Sequence, residues 1–165
     1  MIVQRMLESD LDSVLEIEQA SFLQPWSRQS VLHELTVPYA RSYIVLNSTD
    51  SAPGPPDSPG LRKVDGYAFF RIIADELHLL KIAIRPEMRR KEIAFHLLEK
   101  CFNQESNDWL QHALLEVRRS NITAIKLYEK LGFGLIAIRP EYYPLHLGKR
   151  EDALILRKKL KGGST

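Results

Sequence analysis

The stretch that decides the fold class is residues 113–139, ALLEVRRSNITAIKLYEKLGFGLIAIR. It predicts a strand over 113–118, a helix over 121–131 and a second strand over 133–139. Gly132 stands just after the helix, where glycine often ends helices because it tolerates the left-handed conformation. With the helix and strand before it, this stretch indicates βαβ units with a right-handed crossover.

The segments before this stretch predict antiparallel strands and a long helix. Residues 64–74 and 76–84 are both rich in β-forming residues and only Asp75 separates them, so we expect an antiparallel pair. A helix is predicted from about Arg89 to Glu105. The apolar residues that recur there at helical spacing are Ile93, Ala94, Leu97, Leu98, Cys101 and Phe102.

The N-terminal part predicts two helices and a strand. Ser9 offers an N-cap for the first helix, and Ser27 offers one for a second helix that ends at Pro38. Residues 42–46 and, near the other end of the chain, 152–156 are predicted strands. The chain is therefore predicted to be α+β, with an antiparallel N-terminal half followed by βαβ units.

The length of 165 residues and the mass of 19.0 kDa indicate one domain, which we place over residues 1–160. Residues 47–63 are rich in proline and serine, so we expect a flexible surface insertion there. The alternative is a linker between two domains, but the residues before it are too few to fold alone. We expect residues 161–165 to be a disordered tail.

Composition and charge exclude several classes of protein. Apolar residues make up 44% and charged residues 27% of the chain, close to the globular average, which excludes a disordered or membrane class. The net charge of +2 argues against a general nucleic-acid or membrane-surface binder. Cys101 is the single cysteine, and no signal peptide or membrane-length apolar run is visible, so we expect a cytoplasmic protein. The five histidines lack metal-ligand spacing, so no metal site is expected.

Three cations, Arg89, Arg90 and Lys91, fall at the predicted first turn of the helix over 89–105. A helix N-terminus carries partial positive charge and favours acidic residues, so cations there oppose the usual preference. A bound phosphate or pyrophosphate would account for them. The alternative is a solvated basic face.

Glu116 and Tyr128 are candidate acid–base residues. Glu116 lies in the apolar strand over 113–118 and shares a strand face with Leu114 and Arg118. It is either a desolvated general base or the partner of Arg118 in a salt bridge. Tyr128 lies on the apolar face of the following helix, a position typical of a core tyrosine.

Several runs of residues resemble a known family. Residues 82–94, IAIRPEMRRKEIA, resemble the acetyl-coenzyme-A motif of the GNAT N-acetyltransferases, Arg/Gln-x-x-Gly-x-Gly/Ala after a strand. The rest of the chain outside 47–63 resembles more narrowly the branch of that family that acetylates the N-terminal alanine of a ribosomal protein. The segments that carry this narrower resemblance are 17–19, 25–27, 115–133, 142–144 and 150–153.

The resemblance implies a fold, a cofactor and a site. The GNAT fold has a central mixed, mostly antiparallel sheet of about seven strands flanked by about four helices. Acetyl-coenzyme A would be the co-substrate, Glu116 the base and Tyr128 the acid. The cofactor-binding residues implied are Ile82, Ala83, Ile84, Arg89, Arg90, Lys91, Glu92, Ile93, Ala94, Phe95 and Asn121. The acceptor-binding residues implied are Trp26, Glu141, Tyr142 and Tyr143.

The function implied is transfer of an acetyl group to the α-amine of an N-terminal alanine, in a protein of the small ribosomal subunit. Two alternatives stay open, a GNAT enzyme for other N-termini, lysine or small amines, and a non-catalytic acyl-coenzyme-A binder. The second is suggested by Glu92, which stands where the motif has its first glycine. We expect the Glu92 side chain to point outward while the backbone N–H groups face the phosphates.

Overall fold

The computed structural model describes residues 1–46, 63–107 and 109–160, so the predicted insertion, apart from Lys63, and the predicted tail lie outside the described residues. The described residues form seven strands and four α-helices. The strands are β1 (Ile2–Arg5), β2 (Ala40–Leu46), β3 (Val64–Ile73), β4 (Glu76–Ile84), β5 (His112–Arg118), β6 (Gly134–Pro144) and β7 (Arg150–Lys159). The helices are α1 (Leu11–Ser21), α2 (Arg28–Thr36), α3 (Ile93–Glu105) and α4 (Ile122–Lys130).

The strands follow the order β1-β2-β3-β4-β5-β7-β6 in a mixed sheet. Strand β4 pairs with β5 in parallel, whereas β1–β2, β2–β3, β5–β7 and β6–β7 are antiparallel pairs. The parallel ladder runs from Glu76 opposite His112 to Leu79 opposite Leu115, and β4 continues past its end. The predicted fold class, α+β with a mostly antiparallel sheet of about seven strands and four helices, is confirmed.

The chain divides into two compact units. The first unit comprises Met1–Arg71 and Lys81–Cys101. Its core lies between α1, α2 and the strands β2 and β3, and the residues with no exposed surface there include Val14, Ile17, Val31, Ile44, Tyr67 and Phe69. Helix α1 supplies this core because its apolar residues recur at helical spacing. Cys101 is fully buried, as its place on the apolar stripe of α3 predicts.

The second unit comprises Ile72–Leu80 and the chain from Phe102 onward. One face of β5 is apolar and buried, because the alternation along this strand directs Ala113, Leu115 and Val117 to that face. Phe133 packs there against the rings of Phe102 and Tyr128, at centroid distances of 5.5 and 5.9 Å. The opposite face carries Glu116.

Two helix starts differ from the predictions. Helix α1 begins at Leu11 after a short 3-10 turn, and Ser9 does not cap it; instead the buried Asp10 carboxylate accepts the Leu7 N–H at 2.8 Å. Helix α3 begins at Ile93, not near Arg89. The prediction that the three cations form its first turn was wrong, because Arg90 has φ of 60°, a left-handed conformation that an α-helix excludes.

Other boundaries agree with the predictions more closely. The Ser27 hydroxyl accepts the N–H of Ser30 at 3.1 Å and caps α2, as expected. Gly132 has φ of 87° and ends α4 in the left-handed conformation. Strands β6 and β7 are both longer than predicted. Among the helices that the structure describes, none has the length and apolar character needed to cross a membrane.

Candidate active site

The end of β4, Ile82–Ile84, is held tightly against β3. Gly66 on β3 permits this approach, because a Cβ added there would lie 2.8 Å from the Ala83 carbonyl oxygen. Since backbone groups alternate in direction along a strand, those of Ile82 and Ile84 point away from β3. These residues lie past the end of the parallel ladder. The backbone of Ile82 is therefore available on that edge for β-type pairing with an extended ligand arm.

The segment between β4 and α3 adopts an unusual backbone. Arg90 and Glu92 have φ of 60° and 58°, so two non-glycine residues occupy the left-handed region. Glu92 therefore retains the backbone conformation that the glycine of the resembled motif takes without strain. Its side chain is exposed, in agreement with the predicted outward direction.

Arg89 has a structural contact at this end of β4. Its Nε donates to the Ile84 carbonyl at 3.0 Å and its terminal nitrogen donates to the Ser21 hydroxyl at 2.8 Å. Arg89 thus links β4 to the end of α1, and it is exposed like the neighbouring Arg90 and Lys91.

The entrance of α3 fits a pyrophosphate group. The first helical bond runs from the His96 N–H to the Glu92 carbonyl, so the N–H groups of Ile93 and Ala94 precede it and have no acceptor within the helix. Such N–H groups and the helix dipole attract anions, and Arg90 and Lys91 add positive charge beside them. The combination of an extended edge at Ile82 and an anion-binding helix start is what the pantetheine arm and pyrophosphate of coenzyme A require.

A buried ionic cluster lies beneath Trp26 in the first unit. The Glu18 carboxylate is fully buried and accepts the Trp26 N–H at 2.8 Å, the Lys81 ammonium at 2.7 Å and the Tyr67 hydroxyl. The Trp26 ring stacks on Phe69 at a centroid distance of 5.3 Å. The Lys81 Nζ lies 4.9 Å from the Trp26 ring centre. Burial and the hydrogen bond to Glu18 raise the pKa of the Tyr67 phenol.

An open cavity of about 450 Å³ adjoins Trp26. Its lining includes the Glu34–Arg71 ion pair, in which the closest nitrogen and oxygen lie 2.5 Å apart. Trp26 is the one predicted site residue in this lining.

In the second unit, Glu116 lies on the face of the sheet opposite its apolar side. Glu116 is opposite Ile155 of β7, and Arg139 of β6 is opposite Ala153 of the same strand. The small Ala153 side chain leaves room above β7, and the Arg139 guanidinium bonds to the Glu116 carboxylate at 2.9 Å. The expected alternative, a salt bridge from Glu116 to Arg118, is replaced by this one.

Arg118 has another carboxylate partner, Glu151, at 2.9 Å. Hydrogen bonds from Arg118 and from the Ser120 N–H lower the pKa of Glu151. The Arg118 guanidinium lies 4.4 Å from the ring centre of Tyr143. Burial and the nearby Glu116 charge raise the pKa of the Tyr143 phenol, and Arg118 partly offsets this.

Tyr142 and Tyr143 meet edge to face at a centroid distance of 5.1 Å. The Arg139 guanidinium lies 5.3 Å from the Tyr142 ring centre. Glu141 precedes them with φ of 51°, and its N–H donates to Asp152 at 3.1 Å. Arg150 bonds to the carbonyls of Glu141 and Tyr142, so three contacts hold this irregular part of β6.

Tyr128 and Asn121 belong to α4 and its cap. The Tyr128 side chain is 6% exposed, and burial, with a smaller effect from Tyr143, raises its pKa to about 12. The Asn121 side chain accepts the Ala124 N–H at 3.2 Å and caps α4. This contact gives Asn121 a structural task in addition to its predicted cofactor role.

The structure thus brings together Glu116, Tyr142 and Tyr143 within the second unit, through Arg139. Within the first unit it brings together the backbone and cations of residues 82–95. The types and spacing of the residues did not predict the Glu18–Lys81–Tyr67 cluster or the ion pair of Arg139 with Glu116. A signal existed for Glu18, which lies on the apolar stripe of α1, but its partners are distant in sequence. Within residues 1–46, 63–107 and 109–160, no group of three or more His, Cys, Asp or Glu residues could hold a metal ion.

Comparison with known proteins identifies the family. The Acetyltransferase (GNAT) family matches residues 11–133. The chain belongs to the GNAT acetyltransferase family. As a GNAT enzyme it is an acetyl-coenzyme-A-dependent N-acetyltransferase, so the predicted enzyme class is confirmed.

Similar proteins support the narrower resemblance. The ribosomal protein bS18-alanine N-acetyltransferase of Haemophilus ducreyi is 32% identical over 155 residues, which cover 94% of this chain and 97% of that protein. The crystal structure of the corresponding Escherichia coli enzyme superposes with a TM-score of 0.79 at 28% identity, covering 96% of this chain and 93% of that chain. Arabidopsis thaliana NAA60 in complex with acetyl-CoA has a TM-score of 0.79 at 15% identity, covering 98% and 99% of the two chains, and shares the fold.

Proposed function

We propose that this GNAT enzyme transfers an acetyl group from acetyl-coenzyme A to the α-amine of an N-terminal alanine, in a protein of the small ribosomal subunit. The observation that carries the proposal is the open sheet face of the second unit. There the 31% exposed Glu116 side chain is joined through Arg139 to the aromatic pair Tyr142–Tyr143. A partly exposed carboxylate beside aromatic rings suits the end of a polypeptide, whereas a small amine would require a closed pocket.

The direct transfer needs a base and an acid from the chain. An α-amine has a pKa of about 7.7–8.0, so the attacking nitrogen must lose a proton, and the Glu116 carboxylate accepts it directly or through one water. Burial raises the pKa of Tyr128 to about 12, so its hydroxyl is protonated at neutral pH, and we assign it the proton that the departing sulfur takes up. No covalent bond to Cys101 is needed, which agrees with its full burial.

Acetyl-coenzyme A supplies the acetyl group as a thioester. The backbone of Ile82–Ile84 would hold its pantetheine arm, and Asn121 would contact it as well. The entrance of α3 would bind its pyrophosphate through backbone N–H groups and cationic side chains; the residues concerned are Arg89, Arg90, Lys91, Glu92, Ile93, Ala94 and Phe95. Because Arg89 bonds to Ile84 and Ser21, we assign the direct electrostatic role mainly to Arg90 and Lys91.

The acceptor residues proposed are Trp26, Glu141, Tyr142 and Tyr143. The aromatic rings offer rigid apolar walls with polar tips, and Glu141 offers an exposed carboxylate for a basic residue further along the acceptor. If the acceptor is of this kind, we expect the enzyme to act in the cytoplasm, where ribosomal proteins are made.

Steady-state kinetics on an alanine-ended peptide test the assigned roles. We expect Glu116→Gln and Tyr128→Phe each to lower kcat by about 10²–10⁴-fold, the range of acid–base groups, with the KM for acetyl-coenzyme A nearly unchanged. Glu129→Gln, on an exposed position of the same helix as Tyr128, is the control and should leave kcat unchanged. Wild-type turnover in both test variants would remove Glu116 and Tyr128 from the mechanism.

The acceptor is tested separately. Tyr142→Ala should raise the KM for the alanine-ended peptide at least tenfold while changing the KM for acetyl-coenzyme A little, because that ring is assigned to the peptide and not to the cofactor. Equal changes in both KM values would contradict the assignment. Faster acetylation of free lysine or a polyamine would favour the alternative of a GNAT enzyme for another acceptor.

A further inference from the structure

The Glu116–Arg139 pair is not explained by stability. Both side chains are partly exposed, Arg139 at 51% and Glu116 at 31%, and exposed pairs of this kind contribute little to folding. An ion pair at the proposed general base also affects amine binding, because the guanidinium competes with the incoming amine for the carboxylate oxygens. The pair is therefore of interest for its position beside the proposed base.

Arg139 makes two contacts, and it does not occupy every acceptor position of the Glu116 carboxylate. Its guanidinium bonds to Oε1 of Glu116 at 2.9 Å, while the carboxylate has further lone pairs for other donors. The same guanidinium lies 5.3 Å from the Tyr142 ring centre, a cation–π distance that limits its motion. Ala153, opposite Arg139 on β7, has only a methyl group, so the arginine can reach across that strand.

We propose that Arg139 is a positioning residue for the general base. It holds the Glu116 carboxylate in one orientation through Oε1, so that a fixed lone pair receives the proton of the acceptor amine. Its positive charge also disfavours the ammonium form of the acceptor beside Glu116, which leaves the neutral, nucleophilic amine. The inference rests on the proposed role of Glu116 as base.

A double-mutant cycle on kcat tests this inference. The variants are Arg139→Ala, Glu116→Gln and the double variant, assayed with an alanine-ended peptide and saturating acetyl-coenzyme A. If Arg139 acts through Glu116, Arg139→Ala lowers kcat by about 10–100-fold in the wild-type background and by less than about twofold in the Glu116→Gln background. Arg139→Lys, which keeps a charge but not the planar fork, should recover part of the loss.

The outcomes separate positioning from folding. Arg157→Ala, which removes an exposed arginine of β7 opposite Gly134, is the charge-matched control and should keep wild-type kcat. The melting temperature of Arg139→Ala should equal that of the wild type, because the pair is exposed. If Arg139→Ala is poorly folded, Arg139→Lys against Arg139→Gln replaces it in the cycle.

An equal loss of kcat from Arg139→Ala in both backgrounds would overturn the inference, and so would wild-type kcat in Arg139→Ala. Failure of the proposed function has a different signature, since the wild-type enzyme would then leave the alanine-ended peptide unmodified. In that case the same cycle is run with whichever amine the enzyme does acetylate.

Discussion

Replacement of Glu92 by glycine should stabilise the protein, although it removes a side chain. Glu92 has φ of 58°, and the left-handed conformation costs a non-glycine residue about 1–2 kcal/mol. Glycine removes that cost but makes the unfolded chain more flexible, which offsets roughly 0.4–1 kcal/mol. The net gain is about 0.5–1 kcal/mol, or a rise of roughly 1–4 °C in Tm for a domain of this size.

The same change should tighten the binding of coenzyme A. Glu92 places a negative charge at the entrance of α3, where the pyrophosphate is proposed to bind. Two unit charges 4 Å apart in water interact by about 1 kcal/mol, so removing the repulsion should lower Kd by a factor of about two to five. Calorimetric titration with coenzyme A at low and high salt measures this factor, which should shrink as salt screens the charge.

Glu92→Gln is the matched control, because it removes the charge and keeps the strained backbone. We expect Glu92→Gln to bind coenzyme A as tightly as Glu92→Gly does, but to melt at a lower temperature than Glu92→Gly, because it keeps the strained backbone. A lower Tm for Glu92→Gly would refute the reasoning from strain. Weaker binding in both variants would show that the Glu92 carboxylate supports the site.

Three further predictions concern stability. Because hydrogen bonds from Arg118 and Ser120 lower the pKa of Glu151, its ion pair stabilises the fold fully above the usual carboxyl range, and this contribution is lost as the pH falls through the lowered pKa. Glu151→Gln should therefore reduce Tm at pH 7, and the reduction should shrink steadily as the pH is lowered through the acid range. The pKa of Tyr128 is raised to about 12, so its contribution is intact below pH 10 and is lost as the pH rises towards that value. Between pH 8 and pH 11, the free energy of unfolding of the wild type should fall by roughly 1 kcal/mol relative to that of Tyr128→Phe, because the variant has no phenol to ionise. Urea unfolding at the two pH values measures this difference. Gly66→Ala should destabilise the fold by about 1–3 kcal/mol in the same assay, because the new methyl would lie 2.8 Å from the Ala83 carbonyl oxygen.

Local patterns predicted most elements and missed the backbone of the segment before α3. Strand β4 and the cap of α2 follow from residues that are neighbours in sequence, and both were predicted correctly. The start of α3 was not, since Arg90 and Glu92 are not residues that signal a left-handed conformation. Only the resemblance to a glycine motif indicated that Glu92 stands at a special position.

Strand β6 shows a second limit. Pro140 suggests that the strand ends near Arg139, because proline lacks the N–H of a ladder bond. The strand continues to Pro144 because β6 is an edge strand and its register with β7 shifts between Arg139 and Tyr143. A shift of this kind places Glu141 in the left-handed region and lets proline lie in the strand.

The sequence predicted site residues that lie together in one motif. It did not predict their ion-pair partners, which come from other strands. Alternation along β5 placed Glu116 and Arg118 on one face correctly, but it suggested the wrong ion pair. The true partner, Arg139, comes from β6, and Lys81 reaches Glu18 from a strand far along the chain. Such pairs depend on strand order, which residue types alone do not specify.

The most direct test of the proposed acceptor uses one peptide that offers two amines. It begins with alanine, contains an internal lysine, and is incubated with the enzyme and acetyl-coenzyme A before fragmentation mass spectrometry locates the acetyl group. We expect the group on the alanine α-amine, and none on a matched peptide whose N-terminus is blocked. The proposed N-terminal acetylation would be contradicted if the lysine were acetylated in both peptides. It would also be contradicted if neither peptide were acetylated at any enzyme concentration.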